Sequence, residues 1–185
     1  MFFIEKDTAI DVEKFMKSMI EHIEKSLEKE GMNIKKISIE PGRSIIGNAG
    51  STLYRVGGTK ETFGGVKYIF IDGGMTDNIR PALYQAEYEA VLANKLDVVE
   101  DEIVTVAGKC CESGDLIIKN RKLGKAEAGD LLLVATTGAY GYSMSSNYNK
   151  AQRPAVVFVK DGKSAISIKR ESLEDLVRND VDMEL

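Results

Sequence analysis

The sequence predicts a mainly β (α+β) domain, with a helix and a short strand in front of it. Three observations support this fold class. A helical pattern covers the N-terminal region, seven short extended runs separated by turn residues follow from residue 49 onward, and Asp161-Gly162 stands between two alternating runs. Many short strands in a chain of this size are typical of a β-barrel or a β-sandwich.

The N-terminal region is predicted to contain an amphipathic helix over residues 11–30. Its apolar residues recur at steps of three and four, with Asp11 as the N-cap and Gly31 just past the end. The β-branched run at residues 37–40 is predicted to be a strand that ends at Pro41-Gly42. Since a parallel strand needs neighbours on both edges, this region is expected to be an incomplete part of a larger sheet.

The predicted strands of the β domain are separated by recognisable turns. They cover residues 52–56, 67–71, 102–106, 116–119, 130–136, 155–159 and 165–168. Gly64-Gly65 predicts a turn within a polar loop, and Asp161-Gly162 predicts a tight hairpin. Ser172 followed by Asp175 predicts a capping box for a last helix through Val177.

Composition is that of a soluble protein of one domain, or one domain with a piece of another. The chain has 185 residues, of which 43% are hydrophobic and 29% charged. No run approaches the length of a membrane span and Met1–Ile4 is too short for a signal sequence, so a cytoplasmic location is expected. The net charge of −4, with no basic block, predicts no nucleic-acid partner and remains compatible with small zwitterionic ligands.

The two cysteines are adjacent, at Cys110 and Cys111. Adjacent residues hold their Cβ atoms in poor geometry for a disulfide, so both are interpreted as thiols in a reducing compartment. Sequence alone favours buried structural thiols over a reactive pair, because free cysteine is so often buried. His22 is the one histidine, and no metal site is predicted.

Two arginines follow turn residues that suit anion binding. Gly42 allows a ligand to approach the backbone beside Arg43, although a turn with a surface arginine is an equal alternative for this pattern. Arg80, which precedes a proline, is suited to hold a carboxylate with two hydrogen bonds, while a solvated arginine is the commoner case. Gly73-Gly74 is interpreted as a structural turn, and Tyr140 as either a hydrogen-bond donor or a core or rim residue.

Four segments, taken in order, resemble the C-terminal half of the diaminopimelate decarboxylase family. They are EPGRSIIGNAG at residues 40–50, DGGMTDNIRPALY at 72–84, CESGD at 111–115 and GAYGYSMSSNYN at 138–149. The resemblance covers nearly the whole chain. It implies the C-terminal β-barrel or sandwich domain of the alanine racemase-like decarboxylases over residues 46–185, with a short final helix. Residues 1–45 would be a helix-strand remnant of a (β/α)₈ barrel.

The resemblance also implies a cofactor, pyridoxal 5′-phosphate, and a set of site residues. Those at the cofactor would be Glu40, Pro41, Gly42, Arg43 and Tyr140, and those at the substrate would be Arg43, Arg80, Tyr84, Glu112 and Tyr140. Cys111 would be the catalytic proton donor, and Glu112 would recognise the distal ammonium group in the site of a homodimer partner. The family's covalent lysine lies upstream of the matching region, so the chain alone is expected to be inactive.

Three functions stay open from the sequence. The favoured one is part of a diaminopimelate decarboxylase, either cut to this domain or encoded by a split gene whose other half supplies the barrel. A second is a non-catalytic module that dimerises or binds an amino acid, and a third is part of an ornithine or arginine decarboxylase. The Cys111-Glu112 pair, where ornithine-type enzymes have Cys-Asp, and the MSSNYN run at residues 144–149 together favour diaminopimelate over ornithine or arginine. A truncated barrel is also expected to expose the helix face with Phe15, Met19 and Ile23.

Overall fold

The computed structural model describes residues 10–183 of the chain, so Met1–Ile4 lies outside the described residues. The helices are Val12–Lys29 (α1), Arg43–Ile46 (α2), Arg80–Tyr84 (α3) and Leu173–Val177 (α4). The strands are Thr52–Glu61 (β1), Lys67–Ile71 (β2), Ala90–Leu92 (β3), Glu102–Ala107 (β4), Leu116–Leu123 (β5), Leu131–Val134 (β6), Val156–Lys160 (β7) and Lys163–Ile168 (β8). Short 3₁₀ turns occupy Gly47–Ala49, Tyr142–Met144 and Tyr148–Lys150.

The centre of the molecule is one sheet of six strands in the order β3-β6-β1-β2-β4-β5. Strands β2 and β4 are parallel, and the other neighbours are antiparallel. Its two edge strands, β3 and β5, contact each other, so the sheet curves into a nearly closed barrel. The barrel interior holds the most buried apolar side chains, among them Val56, Ile69, Tyr88, Val106, Leu132 and Val134.

The seven strands predicted in the β domain are confirmed: β2 has the predicted bounds, and the other six have one or both ends shifted. Strand β1 runs five residues further than predicted, to Glu61, because it pairs with β6 over its first half and with β2 over its second. Strand β3 was not predicted, because its three residues are too few to show alternation and depend on β6 for pairing. Helices α2 and α3, which are each about one turn long, were not predicted either.

The predicted strand at residues 37–40 is wrong, because these residues form no strand in the structure. Ile37 and Ile39 are both exposed. A β-branched run forms a strand only when a neighbour satisfies its backbone hydrogen bonds, and no strand of the described part of the chain pairs with this one. Residues 37–40 therefore belong to no sheet formed by the described residues.

Helix α1 is confirmed, and its N-cap is Asp11, whose carboxylate accepts the Lys14 backbone N–H at 3.0 Å. No side chain of the helix is buried, and Phe15 is 55% exposed. Met19 and Ile23 are half-buried, so the predicted apolar face is only partly covered. Between residues 10 and 183, no helix combines the length and the hydropathy needed to cross a bilayer.

The C-terminal segment begins with a separate two-stranded sheet, β7–β8. Its turn is the predicted one, since Asp161 and Gly162 both adopt a positive φ, at 51° and 71°. The predicted capping box is also confirmed: the Ser172 side chain accepts the Asp175 N–H, and the Asp175 carboxylate accepts the Ser172 N–H. Local turn and cap chemistry thus fixes this segment much as the sequence predicts.

Glu171 joins the end of β8 to the segment that precedes β7. Its carboxylate accepts the backbone N–H of Arg153 at 2.8 Å, the Arg153 Nε–H at 2.9 Å and the Asn147 side-chain amide at 2.5 Å. The Arg153 backbone N–H, with these other donors, holds the pKa of Glu171 below its usual range against the opposing effect of burial. The ionised carboxylate therefore stabilises the folded chain.

Acid should weaken this junction. A carboxylate with a depressed folded-state pKa contributes stability above its unfolded pKa, about 4.3, and loses it as the pH falls through the folded pKa. We expect the unfolding midpoint in urea to fall below about pH 4.3 in the native chain and to depend less on pH there in Glu171→Gln. Glu21→Gln, on the exposed face of α1, is the control and should keep the native pH profile.

Candidate active site

Four segments of the chain meet at one end of the barrel, and the site residues predicted from the sequence lie in them or directly beside them. Because β1, β3 and β5 run against β2, β4 and β6, the starts of the first three lie beside the ends of the others. This end therefore collects residues 42–51 before β1, 72–79 after β2, 108–115 after β4 and 135–150 after β6. The topology brings together segments up to about a hundred residues apart in the chain.

The segments before β1 and after β6 cross with their backbones in direct contact. Thr137 donates its backbone N–H to the Gly50 carbonyl at 2.9 Å, and Gly138 donates to the Gly47 carbonyl at 3.0 Å. A Cβ on Gly138 would overlap the Ile46 carbonyl and lie 2.7 Å from the Gly50 nitrogen. Only glycine fits at this crossing.

We expect Gly138→Ala to destabilise the fold by about 1–3 kcal/mol, because the added methyl group meets backbone that cannot rotate away. Urea unfolding of the native and substituted chains measures the change. Gly58→Ala, where a Cβ meets nothing within 4 Å, is the matched control and should change stability by less than about 1 kcal/mol. Equal stability losses in both variants would contradict the close crossing.

Two arginines and two tyrosines form a cluster above this crossing. The Arg43 guanidinium carbon lies 5.7 Å from the Tyr140 ring centroid, and that of Arg80 lies 5.6 Å from it. Arg80 also lies over Tyr84, at 4.9 Å. Both guanidinium groups thus contact the same aromatic ring, although the two arginines are 37 residues apart in the chain.

The position of Tyr140 depends on an unusual backbone conformation and on the absence of a side chain at Gly42. The φ of Tyr140 is 60°, in the left-handed region that residues other than glycine rarely adopt, and the residue is 45% exposed. A Cβ on Gly42 would overlap the Tyr140 hydroxyl, so the glycine leaves room for the phenol at the start of α2. Tyr140 therefore lies at the exposed rim and not in the core, and its role as a hydrogen-bond donor stays a prediction.

Arg80 has the properties of an anion receptor. It begins α3 and is half-buried, and its Nε–H is buried without a hydrogen-bond partner among the described residues. Buried donors are nearly always paired, so such a group is a candidate for binding a ligand. Tyr84 is exposed beside it, while Glu40 and Pro41 are exposed just before the cluster. The charge and donors of the cluster fit a carboxylate or a phosphate group.

The turn at residues 72–77 is structural, as the sequence analysis expected. Gly73 packs against the buried Tyr54 ring, and the Asp77 carboxylate accepts the Gly74 N–H at 2.9 Å. Burial raises the pKa of Asp77. Burial, with Asp77 and Asp115 nearby, also raises the pKa of Tyr54, so the phenol stays neutral. This packing fixes the path of the chain that leads to Arg80.

The expectation of two buried structural thiols is wrong, because Cys111 is exposed and Cys110 is only half-buried. In the loop after β4 the side chain of Cys110 lies beside Asp115, whereas the next side chain, that of Cys111, is exposed. Burial, followed by the neighbouring Asp115 carboxylate, raises the pKa of the Cys110 thiol. Cys111 instead receives a contact from the Asn149 side-chain amide at 3.7 Å from its Sγ.

Glu112 and Tyr148 lie beside Cys111. Both are exposed, and the Glu112 carboxylate, followed by burial and the Cys111 thiol, raises the pKa of the Tyr148 phenol. The second cluster therefore consists of Cys111, Glu112, Tyr148 and Asn149. Sequence reasoning assigned no role to Tyr148 or Asn149. The one signal for them was their place in the SSNYN run, and neither spacing nor composition places that run next to Cys111.

Comparison with known proteins places the chain in one group of enzymes. The profile described as pyridoxal-dependent decarboxylase, C-terminal sheet domain, matches residues 8–138. The diaminopimelate decarboxylase of Bacillus subtilis is 49% identical over 97% of the chain, and that of Synechocystis is 43% identical over 96%. The chain spans about two fifths of the length of these relatives, at 41% and 38%.

Solved structures agree with this assignment. The diaminopimelate decarboxylase of M. jannaschii in co-complex with L-lysine matches 98% of the chain and 41% of its own, with a TM-score of 0.85 and 32% identity. The Helicobacter pylori enzyme complexed with L-lysine matches 95% of the chain, again 41% of its own, with a TM-score of 0.80 and 30% identity. The chain belongs to the pyridoxal-dependent decarboxylase family, and its residues 8–138 match the C-terminal sheet domain of that family.

Proposed function

We propose that this chain supplies the substrate-binding and proton-donating residues of a diaminopimelate decarboxylase, which converts meso-2,6-diaminopimelate to L-lysine and CO₂. The observation that carries the proposal is the pairing of an Arg43–Arg80–Tyr140 cluster with an exposed Cys111-Glu112 pair at the same end of the barrel. The relatives' names and the L-lysine in two similar structures support the same substrate class.

The cofactor of this proposal is pyridoxal 5′-phosphate, and the residues present fit its phosphate. Gly42 brings the backbone close to the Tyr140 hydroxyl, and Arg43 lies at the start of α2 beside that ring. Glu40 and Pro41 precede this turn on the exposed side. When bound, the cofactor serves as the electron sink that makes loss of CO₂ possible. Its covalent lysine belongs to a part of the enzyme other than these 185 residues.

The arginine–tyrosine cluster would bind the substrate. Arg80 has a buried donor that no residue between 10 and 183 satisfies, and a carboxylate that fills this position gains charge-assisted hydrogen bonds. Arg43 and Tyr84 lie at the edges of the cluster, and the Tyr140 ring contacts both guanidinium groups. Diaminopimelate carries an ammonium group and a carboxylate at each end. The arginine cluster can bind a carboxylate but not an ammonium group, so the distal ammonium needs a different partner.

Cys111 and Glu112 suit the remaining tasks. In the reaction the bond between the α-carbon and its carboxylate breaks, CO₂ leaves, and the α-carbon takes up one proton. Cys111 would donate that proton from its exposed thiol, and Glu112 would bind the distal ammonium as a carboxylate. Asn149 would orient the thiol, since its amide lies 3.7 Å from Sγ.

We also propose that the enzyme is a homodimer with sites shared between subunits. As the resemblance implies, one subunit would provide the arginine cluster of a site and its partner the Cys111-Glu112 pair. Residues 1–45 would belong to the cofactor-binding barrel and residues 46–185 to the C-terminal domain. The exposed apolar face of α1 is consistent with packing against such a barrel. The free thiols fit a cytoplasmic enzyme.

The test requires the cofactor-binding part. We would join this chain to the N-terminal part of the Bacillus subtilis relative, at the start of the 49% identical region, and call the product the chimeric enzyme. It should release CO₂ from meso-diaminopimelate and should act much more slowly on ornithine and arginine. The 185-residue chain alone should show no turnover. An inactive chimera that binds pyridoxal phosphate would refute the proposal, and faster turnover of ornithine would refute the substrate.

A further inference from the structure

The carboxylate of Asp115 is buried between the two loops that lead to the proposed reacting groups. Asp115 is 2% exposed. Its Oδ1 accepts the Met75 backbone N–H at 2.6 Å, and its Oδ2 accepts the Cys110 backbone N–H at 2.9 Å. One side chain therefore bonds to the loop that leads to Arg80 and to the residue next to Cys111.

The backbone of Asp115 closes the second loop on itself. Its carbonyl accepts the Gly108 N–H at 2.9 Å, and its N–H donates to the Glu112 carbonyl at 2.9 Å. A separate bond, from the Lys109 N–H to the Gly73 carbonyl at 2.9 Å, runs between the same two loops. The 108–115 turn is thus attached to the 72–79 loop at adjacent points.

Two glycines make room for the carboxylate. A Cβ on Gly74 would lie 2.5 Å from both Asp115 carboxylate oxygens, and a Cβ on Gly108 would overlap them. Gly74 also adopts a φ of 156°. With side chains excluded from both positions, the carboxylate lies directly against the backbone of both loops, and its position fixes their separation.

We propose that Asp115 is a positioning residue, which sets the loop of Cys111 relative to the loop of Arg80. The inference rests on the proposed function for the roles of these two residues. A proton donor must come within hydrogen-bond reach of the atom that it protonates, and a misplacement of about 1 Å costs about a hundredfold in rate. In the proposed homodimer Arg80 and Cys111 of one chain serve different sites, so Asp115 would hold the Cys111 loop in the position from which it reaches the partner's site.

Asp115→Asn tests this with little change in size. The amide offers one acceptor and one donor group, so either the Met75 N–H or the Cys110 N–H loses its partner and faces a donor instead. Asp130→Asn is the matched control. Asp130 is also buried, at 6%, and accepts the Glu127 N–H at 2.8 Å, but it lies at the far end of β6 from Tyr140.

The first measurement uses the 185-residue chain in a Cys110→Ala background, where Cys111 is the one remaining thiol. After urea unfolding shows that each variant is folded at the assay temperature, the alkylation rate of Cys111 by iodoacetamide is measured at fixed pH. Asp115→Asn should change this rate about two- to tenfold, the factor that corresponds to one lost hydrogen bond. Asp130→Asn should leave it unchanged.

Gly108→Ala is a second variant that displaces the carboxylate without removing it. It should change the alkylation rate in the same direction as Asp115→Asn. If both variants alkylate at the parent rate, the loop is not held by Asp115 and the inference is overturned.

The second measurement uses the chimeric enzyme. Asp115→Asn should lower kcat about a hundredfold and leave KM within a fewfold of the parent value, whereas Asp130→Asn should change neither. An unchanged kcat in an active chimera overturns the inference. The proposed function fails if the parent chimera is inactive, or if Cys111→Ala is as active as the parent. In either case the alkylation rates still decide whether Asp115 positions the loop.

Discussion

Replacement of Cys111 by alanine is expected to lower kcat of the chimeric enzyme by about 10²- to 10⁴-fold, with a much smaller change in KM. This is the range that a positioned proton donor contributes to a rate. The thiol is exposed at the end of the barrel that carries the candidate site. Alanine has no proton to donate, so the α-carbon would have to take its proton from another source. Because substrate binding is assigned to other residues, the loss should fall on kcat, measured by CO₂ release.

Cys110→Ala is the matched control for this prediction. Cys110 is the adjacent thiol, half-buried against Asp115, and its pKa is raised by burial, so it is poorly placed to exchange protons with a substrate. The variant should keep kcat within a fewfold of the parent. If the two alanine variants lose the same amount of activity, the effect comes from the loop and not from a proton donor, and the assignment of Cys111 is wrong.

Arg80→Met should raise KM for meso-diaminopimelate about a hundredfold. The structure leaves the buried Nε–H of Arg80 without a partner in the described chain, and a hydrogen bond between charged groups contributes about 1.5–3 kcal/mol. Each 1.4 kcal/mol is tenfold in affinity, so loss of the charge and its donors corresponds to about one to two orders of magnitude. Steady-state kinetics of CO₂ release measure the change.

Two further variants show whether geometry or charge matters at this position. Arg80→Lys keeps the charge but loses the planar fork, so it should recover only part of the affinity. Arg55→Met removes an exposed arginine of β1 that bonds to the Gly129 carbonyl at 3.3 Å, and it should leave KM unchanged. A native KM in Arg80→Met would place the carboxylate receptor elsewhere.

Most of the fold was predictable because local chemistry encodes it. The strands are runs of β-branched and apolar residues, and their turns depend on residues that tolerate a positive φ, as at Asp161-Gly162. The failures have a common cause. The 37–40 run has the composition of a strand but no paired neighbour, and β3 has a neighbour but almost no pattern of its own. Strand formation depends on pairing as well as on propensity.

The candidate site was predictable only in part. The resemblance selected Arg43, Arg80, Cys111 and Tyr140, and the structure groups the arginines around the Tyr140 ring. It did not indicate Asp115 as the link between loops, because nothing in the local sequence shows that its carboxylate is buried against Met75, forty residues earlier in the chain. The same limit applies to Asn149, whose amide contacts Cys111 from 38 residues away.

The sequence by itself determined the class of domain, the capped helices, the hairpin turn and the list of polar residues with chemical potential, because each depends on neighbours within a few positions. The tertiary structure alone decided that Cys111 is exposed while Cys110 is half-buried, that Gly138 must lack a side chain, and that the two clusters share one end of the barrel. These properties depend on contacts between distant segments. The order and direction of the strands fix those contacts, and the packing of the whole sheet sets that order and direction.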